Sequence, residues 1–123
     1  MKHLIIIGAG GMGRTMYDMA RESIGYGTTY DIRGFIDDNT TALDNFDNYP
    51  PLIAPIHGYQ PKDNELFICS IGGTSRQKCM EEILNRGGKF LTMIHHTARI
   101  GTNVEIGEGT IVGAFTTIGA DAK

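Results

Sequence analysis

The chain has 123 residues, of which 41% are hydrophobic and 20% are charged, and its formal net charge at pH 7 is −3. This composition predicts a folded domain and excludes a disordered segment, and the negative charge gives no basic surface for nucleic acid. Glycine is unusually frequent, with 17 residues against only 4 prolines. Because no Gly-X-Y period is present, collagen and low-complexity linkers are excluded, and the glycines are expected at sharp turns and close contacts.

Membrane and redox functions receive no support from the sequence. The longest apolar run near the N-terminus, residues 4–7, is far shorter than the roughly 18 residues that a membrane span needs. It is also too short for the core of a secretory signal, so we expect a soluble cytoplasmic protein without membrane contact. Cys69 and Cys79 do not form a C-x-x-C pair, and each is expected to be an inert buried thiol.

The N-terminal residues predict a strand followed by a helix. Residues 4–7, LIII, are continuously apolar, as in a strand that is buried on both faces of a parallel sheet. The segment GAGGMG at 8–13 follows. Apolar residues then recur at helical spacing, which predicts a helix to about Ser23, and Gly25 and Gly27 end it.

The next segment combines a strand with a long connection. A second strand is predicted from Tyr30 to Ile36, and Asp37 and Asp38 follow it directly. Residues 39–64 carry no helical pattern and are expected to form a loop with at most short pieces of structure. A loop of this length is uncommon in a compact domain and hints at a function.

The buried pattern then resumes. Residues 66–71, LFICSI, predict a third strand. Thr74 or Ser75 is the expected N-cap of a helix over about 75–86, and residues 89–94, KFLTMI, predict a fourth strand. Strands that alternate with helices in this way predict an α/β fold with a small parallel sheet.

From residue 100 the sequence repeats every six residues. A branched aliphatic residue opens each of four hexads, at Ile100, Ile106, Val112 and Ile118, and glycine always follows it. Ile94 and Ala98 extend the register backwards, with His95 in the place of the glycine. This period is typical of a parallel β-helix, whose corners are expected at the glycines. Because such a helix is stable only when several repeats stack, we expect this chain to be part of a longer protein.

The glycine-rich segment at 8–13 is the first candidate binding motif. It fits G-x-G-x-x-G between a buried strand and a helix, which is the context that nucleotide binding requires. Glycines let the backbone approach a diphosphate, and the N–H groups at the helix N-terminus favour its negative charge. The alternative is a tight strand–helix turn that serves packing alone.

Two further features are expected at the same edge of the sheet. Asp37 and Asp38 could accept hydrogen bonds from a ribose, from a uracil N–H or from a sugar hydroxyl, although Asp-Asp-Asn is also common in solvated turns. Gly72 follows the third strand, and ligands of parallel sheets bind beyond the carboxyl ends of the strands. Arg76, in the next helix, could reach a phosphate or could equally be a surface charge.

The remaining polar residues predict less chemistry. His95 and His96 have no second cluster at metal-ligand spacing, so we expect a structural role at the start of the repeats and no metal. Arg14 and Arg21 are expected on a solvated helix face. Ser70 lacks the sequence context of a nucleophile.

The order of these features resembles one enzyme family. A glycine loop, a strand ending in FIDD, a strand ending in IGG, a helix with arginine and then IHHTARIG before the hexads resemble the sugar O- and N-acyltransferases of the sialic-acid O-acetyltransferase (NeuD-like) family. The layout is most similar to bacterial nucleotide-sugar N-acetyltransferases. The resemblance implies a Rossmann-like nucleotide-sugar-binding domain at 1–94 and the start of a left-handed parallel β-helix of hexapeptide repeats at 95–123.

The resemblance also implies a site. It places the substrate-binding residues at Gly10, Gly11, Met12, Asp37, Asp38 and Gly72. Their ligand would be a nucleotide-sugar, usually a UDP-amino-sugar, and the family assembles as a homotrimer. The general base of the family is a histidine in a later coil, which deprotonates the sugar amine or hydroxyl for attack on acetyl-CoA. No histidine followed by an acidic residue occurs after His96, so no catalytic residue is assigned, and most of the acetyl-CoA site is expected outside this chain.

The resemblance therefore implies the acceptor-binding part of an acetyl-CoA-dependent sugar acetyltransferase of surface-glycan biosynthesis. Two alternatives remain open. The glycine motif and Asp37 also suit a fragment of an NAD(P)-dependent oxidoreductase. A non-catalytic module that binds a nucleotide or forms trimers would show the same repeats. The sequence does not distinguish an amine acceptor from a hydroxyl acceptor.

Overall fold

A computed structural model describes residues 1–123. In chain order its elements are β1 (Lys2–Ile7), α1 (Gly11–Arg21), β2 (Tyr30–Ile36), β3 (Leu52–Ala54), β4 (Glu65–Cys69), α2 (Thr74–Asn85), β5 (Met93–Ile94), β6 (Arg99–Ile100), β7 (Ile111–Val112) and β8 (Thr117–Ile118). Neither helix is long and apolar enough to cross a membrane. The α/β class is confirmed.

The main sheet has four parallel strands in the order β3-β2-β1-β4. As the apolar run predicts, β1 lies inside the sheet, and Leu4 to Ile7 are fully buried. Their side chains alternate between two apolar clusters, because successive residues of a strand point to opposite faces. Leu4 and Ile6 pack with Met16 of α1, whereas Ile5 and Ile7 pack with Ile83 of α2.

The fourth strand of this sheet differs from the prediction. It is the edge strand Leu52–Ala54, which comes from the segment expected to be mostly loop. Residues 89–94 do not form a strand of the main sheet. Phe90 makes only an isolated bridge to Phe67, and Met93–Ile94 pairs with β7 instead.

Gly34 explains how the edge strand reaches its place. A Cβ at Gly34 would lie 2.3 Å from the carbonyl oxygen of Pro51, so only glycine allows this approach. The neighbouring Phe35 N–H donates to the same Pro51 oxygen at 2.9 Å. The sequence shows this glycine, but it does not show which segment of the chain packs against it.

The two helices differ in how many of their residues are buried. In α1, Met16 and Ala20 are buried, and the hydroxyl of Tyr30 donates to the Ala20 carbonyl at 2.6 Å. In α2 only Ile83 is buried. The N-cap of α2 is Gly73, with φ +65° and no side-chain cap, so the prediction of Thr74 or Ser75 was wrong. Both of those residues lie beyond the cap.

The tail, residues 95–123, packs through short parallel strand pairs. β5 pairs with β7, and β6 pairs with β8. The N–H of Phe115 donates to Oγ1 of Thr97, 18 positions earlier, and Asn103 Nδ2 donates to Asp121 Oδ1 across the same separation. Residues that lie three hexads apart, 18 positions along the chain, are therefore neighbours in the tail.

The corners of the tail begin at the repeated glycines. The N–H groups of Thr110, Thr116 and Ala122 donate to the carbonyls of Gly107, Gly113 and Gly119. Within the tail, the residues with φ between +57° and +80° are those in the fourth place of each hexad, namely Asn103, Gly109, Phe115 and Asp121. The left-handed conformation therefore falls two positions after the second-place glycine. At Gly101 the reason for glycine is space, because a Cβ there would lie 2.5 Å from the backbone nitrogen of Ala120. Gly109, which lies outside the glycine repeat, occupies a corner.

Candidate functional site

Three strands of the main sheet end at one level. Ile7 of β1 pairs with Ile36 of β2 on one side and with Cys69 of β4 on the other. The next residues continue this register, because Gly8 N–H donates to the Ile36 carbonyl at 2.8 Å and Ser70 N–H donates to the Ile7 carbonyl at 2.9 Å. The glycine loop therefore lies between the ends of β2 and β4, as expected for parallel strands.

The glycines of this loop have two different roles. Gly8 has φ +95°, and a Cβ there would lie 2.5 Å from Ser70 Oγ. A Cβ at Gly13 would lie 1.9 Å from the carbonyl oxygen of Gly8, so this glycine lets α1 pack on the turn. By contrast, a Cβ at Gly10 would meet no atom within 4 Å. Gly8 and Gly13 thus serve packing, and Gly10 faces open space.

The N-terminus of α1 is uncapped. Gly10 is the N-cap, no side chain caps the helix, and no acidic residue stands in the first turn. The N–H groups of Gly11 and Met12 have no acceptor within the helix, and their partial positive charge favours an anion. Met12 is 56% exposed beside them. This end of the helix has the polarity that a phosphate group requires.

Asp37 lies beside the loop but already has partners. Its Oδ2 accepts the N–H of Ala9 at 2.8 Å, and its Oδ1 accepts the N–H of Asn39 at 2.8 Å. The first role of this carboxylate is therefore to hold the glycine loop against β2. Asp38 is exposed, and its Oδ1 accepts the N–H of His57 at 3.0 Å. A direct contact between either carboxylate and a ligand stays a prediction.

The end of β4 lies on the other side of the glycine loop. Ser70 Oγ donates to the Ile7 carbonyl at 2.7 Å, so this hydroxyl is structural. A Cβ at Gly72 or at Gly73 would meet nothing within 4 Å, as at Gly10. Arg76 is partly exposed, and its Nη1 donates to the Cys69 carbonyl at 2.6 Å. The other N–H groups of its guanidinium are not used by this bond, so both sequence interpretations of Arg76, a phosphate ligand and a surface charge, stay predictions.

The sequence interpretation missed a pair of residues beside the glycine loop. Arg14 was expected on a solvated helix face, but its guanidinium lies over the ring of Phe46, 3.6 Å from the ring centroid. Phe46 belongs to the segment between β2 and β3, for which the sequence predicts little structure. No periodic signal marks such a residue, although an isolated aromatic side chain in a polar loop is itself a signal.

His95 and His96 have structural partners. Thr97 N–H donates to Nδ1 of His95 at 3.1 Å, which leaves the proton on Nε2 to be donated to Glu22 Oε1 at 2.7 Å. His96 stacks on His95 with a centroid distance of 4.6 Å. No group of three or more His, Cys, Asp or Glu side chains is placed to hold a metal ion. The pair joins the tail to the end of α1.

Neither the cysteines nor the cavity of the structure belongs to the candidate site. Both cysteines are free, and burial raises the pKa of the Cys69 thiol and of the Cys79 thiol, so neither is an activated nucleophile. The cavity, of about 240 Å³, lies within the tail between Val104 and Lys123. None of the predicted site residues lines it. The candidate site at the sheet edge is therefore part of the open surface and not an enclosed cavity.

Comparisons with known proteins match the chain to one family. Residues 3–83 match the family model of the PglD N-terminal domain. UDP-N-acetylbacillosamine N-acetyltransferase of Bacillus subtilis (strain 168) is 29% identical over 117 residues, which cover 91% of this chain and 51% of that protein. The chain thus spans about half the length of this curated relative.

Solved structures share the fold. The acetyltransferase domain of PglB from Neisseria gonorrhoeae FA1090 superposes with a TM-score of 0.76 at 24% identity, over 98% of this chain and 66% of that one. The same domain in complex with acetyl coenzyme A gives a TM-score of 0.75 at 24% identity, over 98% and 65% of the two chains. At 24% identity these comparisons show a shared fold and nothing further.

Proposed function

Because the chain belongs to the family of PglD N-terminal domains, we propose that it is the acceptor-binding part of an acetyl-CoA-dependent sugar N-acetyltransferase of glycan biosynthesis. The acceptor is the amine of a UDP-linked amino sugar, and acetyl-CoA is the donor substrate. The name of the B. subtilis relative supports the acceptor, and the coenzyme complex of the gonococcal domain supports the donor.

The observation that carries the proposal is the open carboxyl edge of the main sheet. Here the N-terminus of α1 has no side-chain cap, and a Cβ at Gly10 or at Gly72 would stand in open space. A diphosphate needs both features, since its oxygens accept backbone N–H groups and its bulk needs a bare backbone.

We assign the parts of the ligand accordingly. Gly10, Gly11 and Met12 bind the diphosphate through their backbone at the start of α1. Asp37 and Asp38 face the nucleoside, since each carboxylate oxygen that accepts one N–H retains a second lone pair for a uracil N–H or a ribose hydroxyl.

Titration calorimetry on the 123-residue chain tests the proposal. UDP-N-acetylglucosamine, UDP and NADH are titrated separately, and we expect saturable binding of the two uracil ligands only. Binding of NADH alone would instead support the oxidoreductase alternative. A chain that binds no nucleotide contradicts the proposal, provided that circular dichroism shows the native fold.

We extend the proposal to the tail. Residues 1–94 form the nucleotide-sugar-binding domain, and residues 95–123 begin a left-handed parallel β-helix of three hexads per coil, through which the whole protein forms a homotrimer. The 18-residue separation of Thr97 from Phe115 and of Asn103 from Asp121 supports the coil length. Light scattering on the full reading frame tests the trimer, and a monomer would contradict it.

A further inference from the structure

The guanidinium of Arg14 lies at the open side of the glycine loop. Arg14 is in the first turn of α1, and its Nε is 3.4 Å from the carbonyl oxygen of Gly10, a long hydrogen bond. Its Nη2 would lie 3.7 Å from a Cβ built at Gly11. The cation thus stands beside the backbone N–H groups that are proposed to bind the diphosphate.

This cation has no carboxylate partner. The contacts between basic and acidic side chains join Arg33 to Glu65, His3 to Asp31 and His95 to Glu22, and none of them includes Arg14. The guanidinium of Arg14 instead lies over the ring of Phe46, 3.6 Å from its centroid, and this ring is itself 43% exposed. A ring of this kind fixes the plane of a guanidinium without neutralising its charge, so the donors on its edge stay available.

The backbone at Phe46 is tied to the main fold. Asn39 N–H donates to Asp37, and the N–H of Phe46 donates to the carbonyl of Leu43 at 3.0 Å in a turn. Leu43 packs against the apolar cluster under α1. The turn therefore places the ring of Phe46 beside the start of α1.

We propose that Arg14 contacts the diphosphate of the nucleotide ligand and that Phe46 positions its guanidinium for this contact. The inference depends on the proposed function, because it assumes that a diphosphate binds at the glycine loop. The planar fork of arginine matches two phosphate oxygens, whereas a freely rotating side chain would first have to be ordered. Phe46 acts through Arg14 and does not itself touch the phosphates.

Calorimetric titration with UDP and with uridine separates phosphate contacts from base contacts. We expect Arg14→Met to weaken UDP binding roughly tenfold, which is the usual loss for one charge-assisted hydrogen bond, and to leave uridine binding unchanged. Phe46→Leu should weaken UDP binding roughly threefold, as expected for an exposed cation–π contact. Arg21→Met is the matched control, because Arg21 lies at the other end of the same helix over Tyr17.

A double-mutant cycle tests the positioning role. In the Arg14→Met background, Phe46→Leu should have no further effect on UDP, because Phe46 acts only through Arg14. If Phe46→Leu weakens UDP equally in both backgrounds, the positioning role is overturned. If Arg14→Met binds UDP as the wild type does, the phosphate contact is overturned while the proposed function stands. A wild-type chain that binds neither UDP nor a UDP-sugar overturns both.

Discussion

Glu22 and His95 are joined by a hydrogen bond of 2.7 Å between Oε1 and Nε2, although they lie 73 positions apart. Glu22 is the C-cap of α1, and His95 is a buried side chain at the start of the tail. The backbone follows the same path, since Ile24 N–H donates to the Ile94 carbonyl and His96 N–H donates to the Glu22 carbonyl. The end of the first helix and the start of the repeats are therefore one packed unit.

This junction predicts unequal effects for the two adjacent histidines. His95→Ala removes a buried ring and its bonds to Glu22 and Thr97, and we expect the free energy of unfolding to fall by roughly 2 kcal/mol. His96→Ala removes an exposed ring and should cost less than about 1 kcal/mol. Urea denaturation measures both values. Equal losses at the two positions would contradict the assigned role of His95.

The two kinds of glycine in the loop can be separated by substitution. Gly10 has φ −76°, and an added methyl meets no atom within 4 Å, so Gly10→Ala should change the free energy of unfolding by less than about 0.5 kcal/mol. The same methyl would occupy the space that the diphosphate needs, and UDP should bind at least roughly tenfold more weakly. Denaturation and calorimetry on the same sample give both numbers.

Gly13→Ala is the matched control for the fold. Its methyl would lie 1.9 Å from the backbone oxygen of Gly8, which cannot move without displacing β1 from α1. We expect a loss of roughly 3 kcal/mol in unfolding free energy, with or without ligand. If Gly10→Ala binds UDP normally, the ligand does not approach this side of the loop.

The corners of the tail give a prediction in which the removal of an aromatic residue does not destabilise the fold. Phe115 is 84% exposed and has φ +57°, a conformation that is unfavourable for a bulky side chain. Asn103 occupies the equivalent corner, and asparagine tolerates this conformation. Phe115→Asn should therefore leave the melting temperature unchanged or raise it, because little burial is lost.

The control at the neighbouring corner should have the opposite sign. Gly109 has φ +80°, and a Cβ there would lie 3.2 Å from Cβ of Phe90. Gly109→Ala combines backbone strain with crowding, and we expect it to cost about 1–2 kcal/mol. Calorimetric melting curves of Phe115→Asn and Gly109→Ala measure both changes in stability. A destabilised Phe115→Asn would mean that the ring has a contact which its exposure does not reveal.

Local patterns in the sequence predicted those elements whose structure depends on near neighbours. The apolar run of β1, the helical spacing of α1 and the strand at Tyr30–Ile36 follow directly from side-chain periodicity. The edge strand at Leu52–Ala54 depends instead on the close approach of Pro51 to Gly34, which is a contact between distant segments. Periodicity carries no information about such a contact, so the fourth strand was assigned to the wrong segment.

In the candidate site, too, local order in the sequence could be recognised, whereas contacts between distant segments could not. The position of the glycine loop and of Asp37 at one edge of the sheet was predicted because a strand, a bare backbone and a following acidic residue form a recognisable order. Arg14 was interpreted as a surface charge, because its partner Phe46 comes from a segment without regular structure. The hydrogen bond from Ala9 to Asp37 was also hidden, since sequence order brings residues to one edge but does not pair their atoms.

The last prediction concerns alkaline pH. Tyr30 is fully buried, and its hydroxyl donates to the Ala20 carbonyl. Burial raises the pKa of Tyr30 from 10.0 to about 12, and burial, together with the hydrogen bond to Glu65, raises the pKa of Tyr59 to about 12 as well. Between these values the folded chain holds more protons than the unfolded chain. The free energy of unfolding should thus be unaffected by these groups below about pH 10 and should fall as the pH rises toward about 12.

Tyr30→Phe tests this assignment. At neutral pH the lost hydrogen bond should cost about 1 kcal/mol, and above about pH 10 the difference between the variant and the wild type should shrink, since only the wild type must hold a buried phenol against ionisation. The double variant Tyr30→Phe/Tyr59→Phe should lose more of the alkaline slope than either single variant. Urea denaturation across this pH range, with tyrosinate absorbance as a second signal, measures the effect. A slope that Tyr30→Phe leaves unchanged would mean that Tyr30 ionises equally in the folded and unfolded chains.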